Sequence, residues 1–256
     1  MNRSASILSI AWILAASGCA SAPDPVIAVD SDTRIVRLTI ASANVFVVEQ
    51  AGTRLMIDAG NPGDEAEYEE LMREHGIEPE SIDALLLTHG HADHAGIARY
   101  FQETYGVEVI GGAGDQPMIH AEGRAEVCPT SFLARIIRWS RSGIAYPAFE
   151  LDVALASRPA PAFDLAQIGM DGIVLPWPGH TEGSVVAIIG EHAFVGDLIR
   201  GGLLDATAPT THFFMCDLEE NRERIGELLE RPGITTWHPG HFGPLDVDDV
   251  RAYLDD

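Results

Sequence analysis

The feature that most restricts this chain is Thr88-His89-Gly90-His91-Ala92-Asp93-His94, which begins where the apolar run Ala84-Leu85-Leu86-Leu87 stops. A short continuous apolar run of this kind suits a strand buried on both faces. Neutral imidazole and carboxylate are good ligands for zinc, with iron and manganese as alternatives. On an extended strand His89 and His91 face the same side, because side chains alternate with a period of two. A tight turn after them brings Asp93 and His94 to a neighbouring point as a helix starts. One loop can therefore serve two ions, and Gly90 and Ala92 leave room for the chain to bend around them.

The surrounding pattern is layered. Residues 34–40, 44–49 and 53–58 read as strands, and Ala51-Gly52 marks a hairpin between the last two. A helix is expected to end near Gly76, a second over residues 95–105, and a strand over 107–110. This β-α-β order points to an α/β architecture. Strands return at 172–175, 184–189, 192–195 and 234–237, with helices at 218–230 and 246–254. Residues 111–170, with helical stretches at 115–122 and 131–139 and breaks at Pro147, Pro159 and Pro161, are expected to form an insertion near the site.

Four residues in one loop do not complete a two-metal site. Downstream, Gly179-His180-Thr181, Gly196-Asp197-Leu198 and Gly240-His241-Phe242 each place a ligand type beside a glycine after an apolar run. Such turns can gather at one rim of a sheet. Each is weak alone; the set in this order is a strong signal. His238 lies three residues before His241, and the Pro-Gly-His setting favours His241. His212 stands where a substrate-side residue would be expected. His75, His120 and His192 have no ligand-like setting.

Thr88–His94, Pro178-Gly179-His180-Thr181, Phe194-Val195-Gly196-Asp197 and Pro239-Gly240-His241 together resemble the successive metal-binding motifs of the metallo-β-lactamase superfamily. Ile57-Asp58-Ala59-Gly60 is similar to the usual turn of that family. The resemblance covers roughly residues 34–254 and implies an αββα four-layer sandwich with the site at one edge of the facing sheets. By it, His89, His91 and His180 would hold one ion, and Asp93, His94 and His241 a second. Asp197 would bridge both. Two divalent ions are implied, zinc first, iron or manganese as alternatives. Asp93 has a second expected role, holding the nucleophile and passing its proton to the leaving group.

Charge narrows the substrate. The formal net charge is −23, from 39 acidic and 16 basic residues, so a phosphate backbone is repelled and a nucleic-acid substrate is not expected. The diiron redox branch of the family typically has Glu where this chain has His91. Pro239-Gly240-His241-Phe242-Gly243-Pro244 looks like the general hydrolase branch. A small carboxylic ester, lactone or thioester is the preferred substrate, with β-lactam hydrolysis second and a non-catalytic metal- or ligand-binding lipoprotein third.

Residues 1–19 have another character: Arg3, then an apolar run over 7–16, then Ser17-Gly18-Cys19. The run is too short to span a bilayer and has the layout of a secretory signal. Cys19 after small residues resembles a bacterial lipoprotein processing site, which places the chain on the periplasmic side of a membrane, held by a lipid. Residues 20–33 read as a tether and 34–256 as one domain. Cys128 and Cys216 are expected as two separate buried thiols rather than a pair.

Overall fold

The computed structural model describes residues 26–28, 32–124, 127–141, 144–158 and 161–255; the expected signal and Cys19 lie outside them. The first sheet runs in sequence order through β1 (Val26–Ala28), β2 (Thr33–Ile40), β3 (Ala43–Gln50) and β4 (Thr53–Ile57). It continues through β5 (Ala84–Leu86), β6 (Glu108–Gly112) and β7 (Val153–Leu155). The first four strands are antiparallel, because two-residue turns join β2 to β3 and β3 to β4, with positive φ at Ala41, Ala51 and Gly52. From β4 onward the pairs are parallel, as crossovers through helices require. Those helices are α1 (Glu65–Glu74), α2 (Ala92–Ala95), α3 (Ala98–Tyr105), α4 (Gln116–His120) and α5 (Phe132–Arg141).

The second sheet is built from β8 (Phe163–Asp164), β9 (Ile173–Pro176), β10 (Val185–Ile189) and β11 (His192–Gly196). A small two-stranded ribbon, β12 (Arg200–Gly201) with β13 (Pro209–Thr210), and α6 (Leu218–Leu229) follow. The chain then adds β14 (Thr236–Pro239) and β15 (Leu245–Asp246) to the second sheet, and α7 (Val247–Asp255) closes it. The spatial order is β15-β14-β11-β10-β9-β8, with only β11 and β14 parallel.

Three apolar clusters separate four layers. Tyr68 and Met72 of α1 and Phe101 of α3 pack on one face of the first sheet, against Val47, Met56 and Leu85. Phe46, Leu55 and Leu86 of the first sheet meet Val185, Ala187 and Phe194 of the second in the middle. Trp237 and Val186 face Leu228 of α6 and Val250 of α7 on the far side. The αββα sandwich is thus dictated by alternation: Ala84 and Leu86 point inward between the sheets while Leu85 points to the helices. Among the described residues no helix is long and apolar enough to cross a membrane.

Two expectations change. Val26–Ala28, inside the stretch read as a tether, pairs with residues 34–36 as an edge strand, and β2 already starts at Thr33. The single helix expected over 95–105 is broken. Gly96 N–H donates to Gly60 O (2.9 Å) and Ile97 N–H to Ala59 O (3.0 Å), so the β4–α1 turn takes the hydrogen bonds that would have joined α2 to α3. A Cβ on Gly96 would collide with the backbone of Gly60, Asn61 and Pro62.

Candidate metal centre

The His-rich loop leaves β5 at the carboxyl end of the first sheet, and two buried carboxylates fix its shape. Asp58, at the end of β4, sits in the left-handed region (φ 63°) and receives the Thr88 N–H at 2.7 Å and the Thr88 hydroxyl at 2.9 Å. Its Oδ2 lies 2.8 Å from His94 Nδ1, which turns His94 Nε2 toward the site. Asp115 receives the Gly90 N–H at 2.8 Å, the Thr181 hydroxyl at 2.8 Å and the Gly183 N–H at 2.9 Å. The loop carrying His89 and His91 is thereby pinned to the loop carrying His180. Tyr146 donates its hydroxyl to Gly90 O at 2.6 Å and holds the same turn from above.

The second sheet brings its residues to the same edge. Thr88 O accepts from Val185 N–H (2.9 Å), Gly196 O from Gly240 N–H (2.9 Å), and Gly240 O from Asn44 N–H (2.8 Å). The amide of Asn44 also donates to Pro239 O and Phe242 O. His241 Nδ1 donates to Ser42 O at 2.7 Å, leaving Nε2 directed inward. Gly240 passes so close that a Cβ there would strike His94 Cε1 and Asp197 Oδ1.

The structure gathers all seven expected ligands and adds His212 as an eighth residue. Four groups have ligand atoms within 4.8 Å of one another: His89 with His91 and His180; Asp93 with His94 and His241; His89 with His94 and Asp197; and His180 with Asp197 and His212. Asp197 Oδ2 is the common point, 3.7 Å from His89 Nε2, 3.5 Å from His94 Nε2, 3.7 Å from His180 Nε2 and 3.5 Å from His241 Nε2. His212 Nε2 is 3.1 Å from it. Asp93 Oδ2 lies 3.6 Å from His241 Nε2 and Oδ1 3.9 Å from His94 Nε2.

These side chains fit a metal. His89 Nε2 and His94 Nε2, which face Asp197 Oδ2, are buried without a hydrogen-bond partner, as are the second ring nitrogen of His180 and the second oxygen of Asp197. Buried polar atoms are almost always satisfied, so unpartnered imidazole nitrogens facing a buried carboxylate are what a cation site leaves when its ligands are described alone. Burial holds His89, His91 and His180 below their ordinary pKa, which keeps them neutral as ligands must be. For Asp197 burial alone would raise the pKa, but His212, His241 and His94 outweigh it and hold the carboxyl well below its usual range. Burial would lower His94 as well, and there Asp197 and Asp58 prevail and raise it.

The other histidines separate cleanly. His238 is buried outside these groups, with Nε2 2.9 Å from His192 Nδ1 and its ring stacked on Phe194. Burial, His192 and Arg37 lower its pKa to about 3. His120 meets Glu150 on the surface. His212 is 4% exposed; its Nδ1 is held against the Phe214 backbone, and burial lowers its pKa to about 4.

A cavity of about 470 Å³ opens beside the cluster, with His91 and His180 in its wall and Met118, Arg124, Phe214 and Met215 around it. Gly114, Pro117, Met118, Arg124 and Cys128 of the stretch expected as an insertion line it, while Val153–Leu155 of the same stretch adds a strand to the first sheet and Phe163–Asp164 one to the second. Cys128 and Cys216 also line it, and they are not separate thiols: they form a disulfide, with Cα atoms 4.8 Å apart. The Pro129–Phe214 bridge and the hydrogen bonds Thr130 N–H to Phe213 O and Met215 N–H to Cys128 O set the two segments side by side. That proximity comes from tertiary pairing across 88 residues and has no local signature.

The family model described as the metallo-beta-lactamase superfamily matches residues 38–241. A probable metallo-hydrolase, YqjP, from Bacillus subtilis is 25% identical over 243 residues, covering 84% of this chain and 72% of that protein. The structure of TTHA1623, solved in a di-iron-bound form, superposes with a TM-score of 0.57 at 25% identity, covering 84% of this chain and 95% of the other. BJP-1, a subclass B3 metallo-beta-lactamase of Bradyrhizobium japonicum, gives a TM-score of 0.59 at 15% identity over 86% of this chain and 78% of its own.

Proposed function

This chain belongs to the metallo-beta-lactamase superfamily, and from that premise we propose that it is an exported hydrolase that uses two divalent ions to cleave a small carboxylic ester, lactone or thioester. The observation that carries the reading is the convergence of His89, His91 and His180 on one side and Asp93, His94 and His241 on the other, with Asp197 between them. Bound there, divalent ions supply a water acidified toward neutrality and a sink for charge on a carbonyl oxygen. Zinc suits this nitrogen and oxygen donor set, and the di-iron form of TTHA1623 makes iron the competitor that metal analysis must exclude.

The chain's own residues divide the remaining work. Asp93 is half-buried beside His94 and His241, where its carboxylate orients the attacking water and accepts its proton for delivery to the leaving group. His212 presents Nε2 to the site from the substrate side. The cavity receives the acyl or alcohol part against Met118, Phe214 and Met215. Its wall and the −23 charge both suit a small, largely apolar substrate rather than a polyanion. Export, with Cys19 as the lipid-bearing residue, is supported by the signal-like residues 1–19 and by the Cys128–Cys216 bond, since structural disulfides persist in oxidising compartments.

A panel of a nitrophenyl ester, a lactone, a thioester and nitrocefin, run with measured metal content, tests this. Turnover of nitrocefin alone would move the substrate to β-lactams; turnover of none with both ions loaded would leave a binding protein. Asp93→Asn is expected to lower kcat by about 100-fold or more, far beyond any fall in metal content. Unchanged kcat would remove the proton role of Asp93.

A further inference from the structure

Helix α5 is turned the wrong way round for a helix that meets only water. It rests on the body through the fully buried Ala134, yet Phe132 is 77% exposed, Ile136 49% and Leu133 45%. At about 100° per residue, Phe132 and Ile136 fall opposite Ala134, where a surface helix normally carries its polar residues. The charge is also inverted. In a chain with 39 acidic residues, positions 127–149 contain none, while Arg135 and Arg138 stand exposed on the helix.

Three leucines of other segments are also exposed. Leu203 is 49% exposed, Leu204 98% and Leu218 46%. They flank the segment 209–216, which the Cys128–Cys216 bond and the Pro129–Phe214 bridge fasten to the stretch that leads into α5. Leu204 and Leu218 stand beside the exposed carboxylates of Asp205, Asp217 and Glu219, so apolar side chains and arginines without acidic neighbours meet on α5.

We propose that α5 is a docking surface for an anionic phospholipid bilayer. Apolar side chains on one face with arginines at its flanks match the boundary between acyl chains and headgroups. The phosphates answer Arg135 and Arg138, and the acidic remainder of the chain is repelled, so one face alone settles on the lipid. A second copy of this chain fits less well, because a two-fold pairing of like surfaces sets the arginines of one copy against those of the other. Cys128, four residues before α5, lines the cavity, so docking through α5 brings that wall toward the lipid.

The test uses the full chain carrying Cys19→Ser, so that no lipid is attached and every variant keeps the same N-terminus. A Leu133→Cys variant labelled with an environment-sensitive fluorophore is expected to shift to the blue on vesicles of mixed neutral and anionic phospholipid, and about tenfold less on neutral vesicles. In co-sedimentation, Phe132→Ser with Ile136→Ser is expected to lower anionic-vesicle binding by about tenfold while metal content and melting temperature stay as in the parent. Absence of a blue shift, or undiminished binding by the double variant, overturns the proposal. A blue shift that grows with protein concentration without vesicles also overturns it and assigns the surface to a second copy.

Discussion

The two halves of this molecule build their shares of the site in opposite ways. The first supplies His89, His91, Asp93 and His94 from one loop of six residues, stiffened by Asp58 and Asp115. The second supplies His180, Asp197 and His241 one at a time, from the turns after β9, β11 and β14. A contiguous loop can be shaped locally, whereas scattered ligands meet only if the sheet that carries them is correctly assembled. Asp197 is where the two strategies join, since its carboxylate faces histidines of both halves.

That contrast can be broken at Asp197 first. Asp197→Ala is expected to lose metal from both groups and to lower activity by more than about 100-fold, the upper end of what an outer-sphere partner costs. His91→Ala should deplete mainly the group it shares with His89 and His180. Equal loss of metal in the two variants, by elemental analysis, would show that the halves are not joined through Asp197. A smaller effect should come from the support of the contiguous loop. Asp58→Ala frees both Thr88 and His94 and is expected to weaken metal binding by about 10- to 100-fold in chelator competition. Unchanged affinity would mean the loop holds its shape without Asp58.

The smallest effect separates the site from the histidine pair beneath it. His238 has a folded pKa of about 3 against an ordinary 6.5, so between those values the unfolded chain binds a proton that the folded chain refuses. Its contribution to stability is present above pH 6.5 and is lost as pH falls toward 3. His238→Gln is expected to flatten the acid side of the stability curve, measured by denaturant unfolding across that range. A slope identical to the parent's would place the titration elsewhere.

Much of this is legible in the sequence. Thr88–His94 is short enough for strand and turn periodicity to put its donors together, and glycine beside a ligand type marks the second-half turns. The unbroken apolar run Ala84–Leu87 is enough to mark a strand covered on both faces. The supports were not readable. Asp58 and Asp115 act on Thr88, Gly90 and Gly183 through backbone N–H groups, which leave no residue-type signature. The break between α2 and α3 has the same origin, because remote carbonyls at Ala59 and Gly60 capture the donors. The pairing of Cys128 with Cys216 depended on two segments meeting at the cavity, and an interval of 88 residues carries no distance.

Behind the site, Phe46 of the first sheet and Phe194 of the second meet edge to face with ring centroids 5.2 Å apart. Neither belongs to the ligand groups, yet together they gauge how far apart the two layers stand. Trimming either ring lets the layers settle, and with them the imidazoles and carboxylates at the rim. A substitution at either ring is therefore expected to be felt at the rim, at positions ordinarily judged by melting temperature alone.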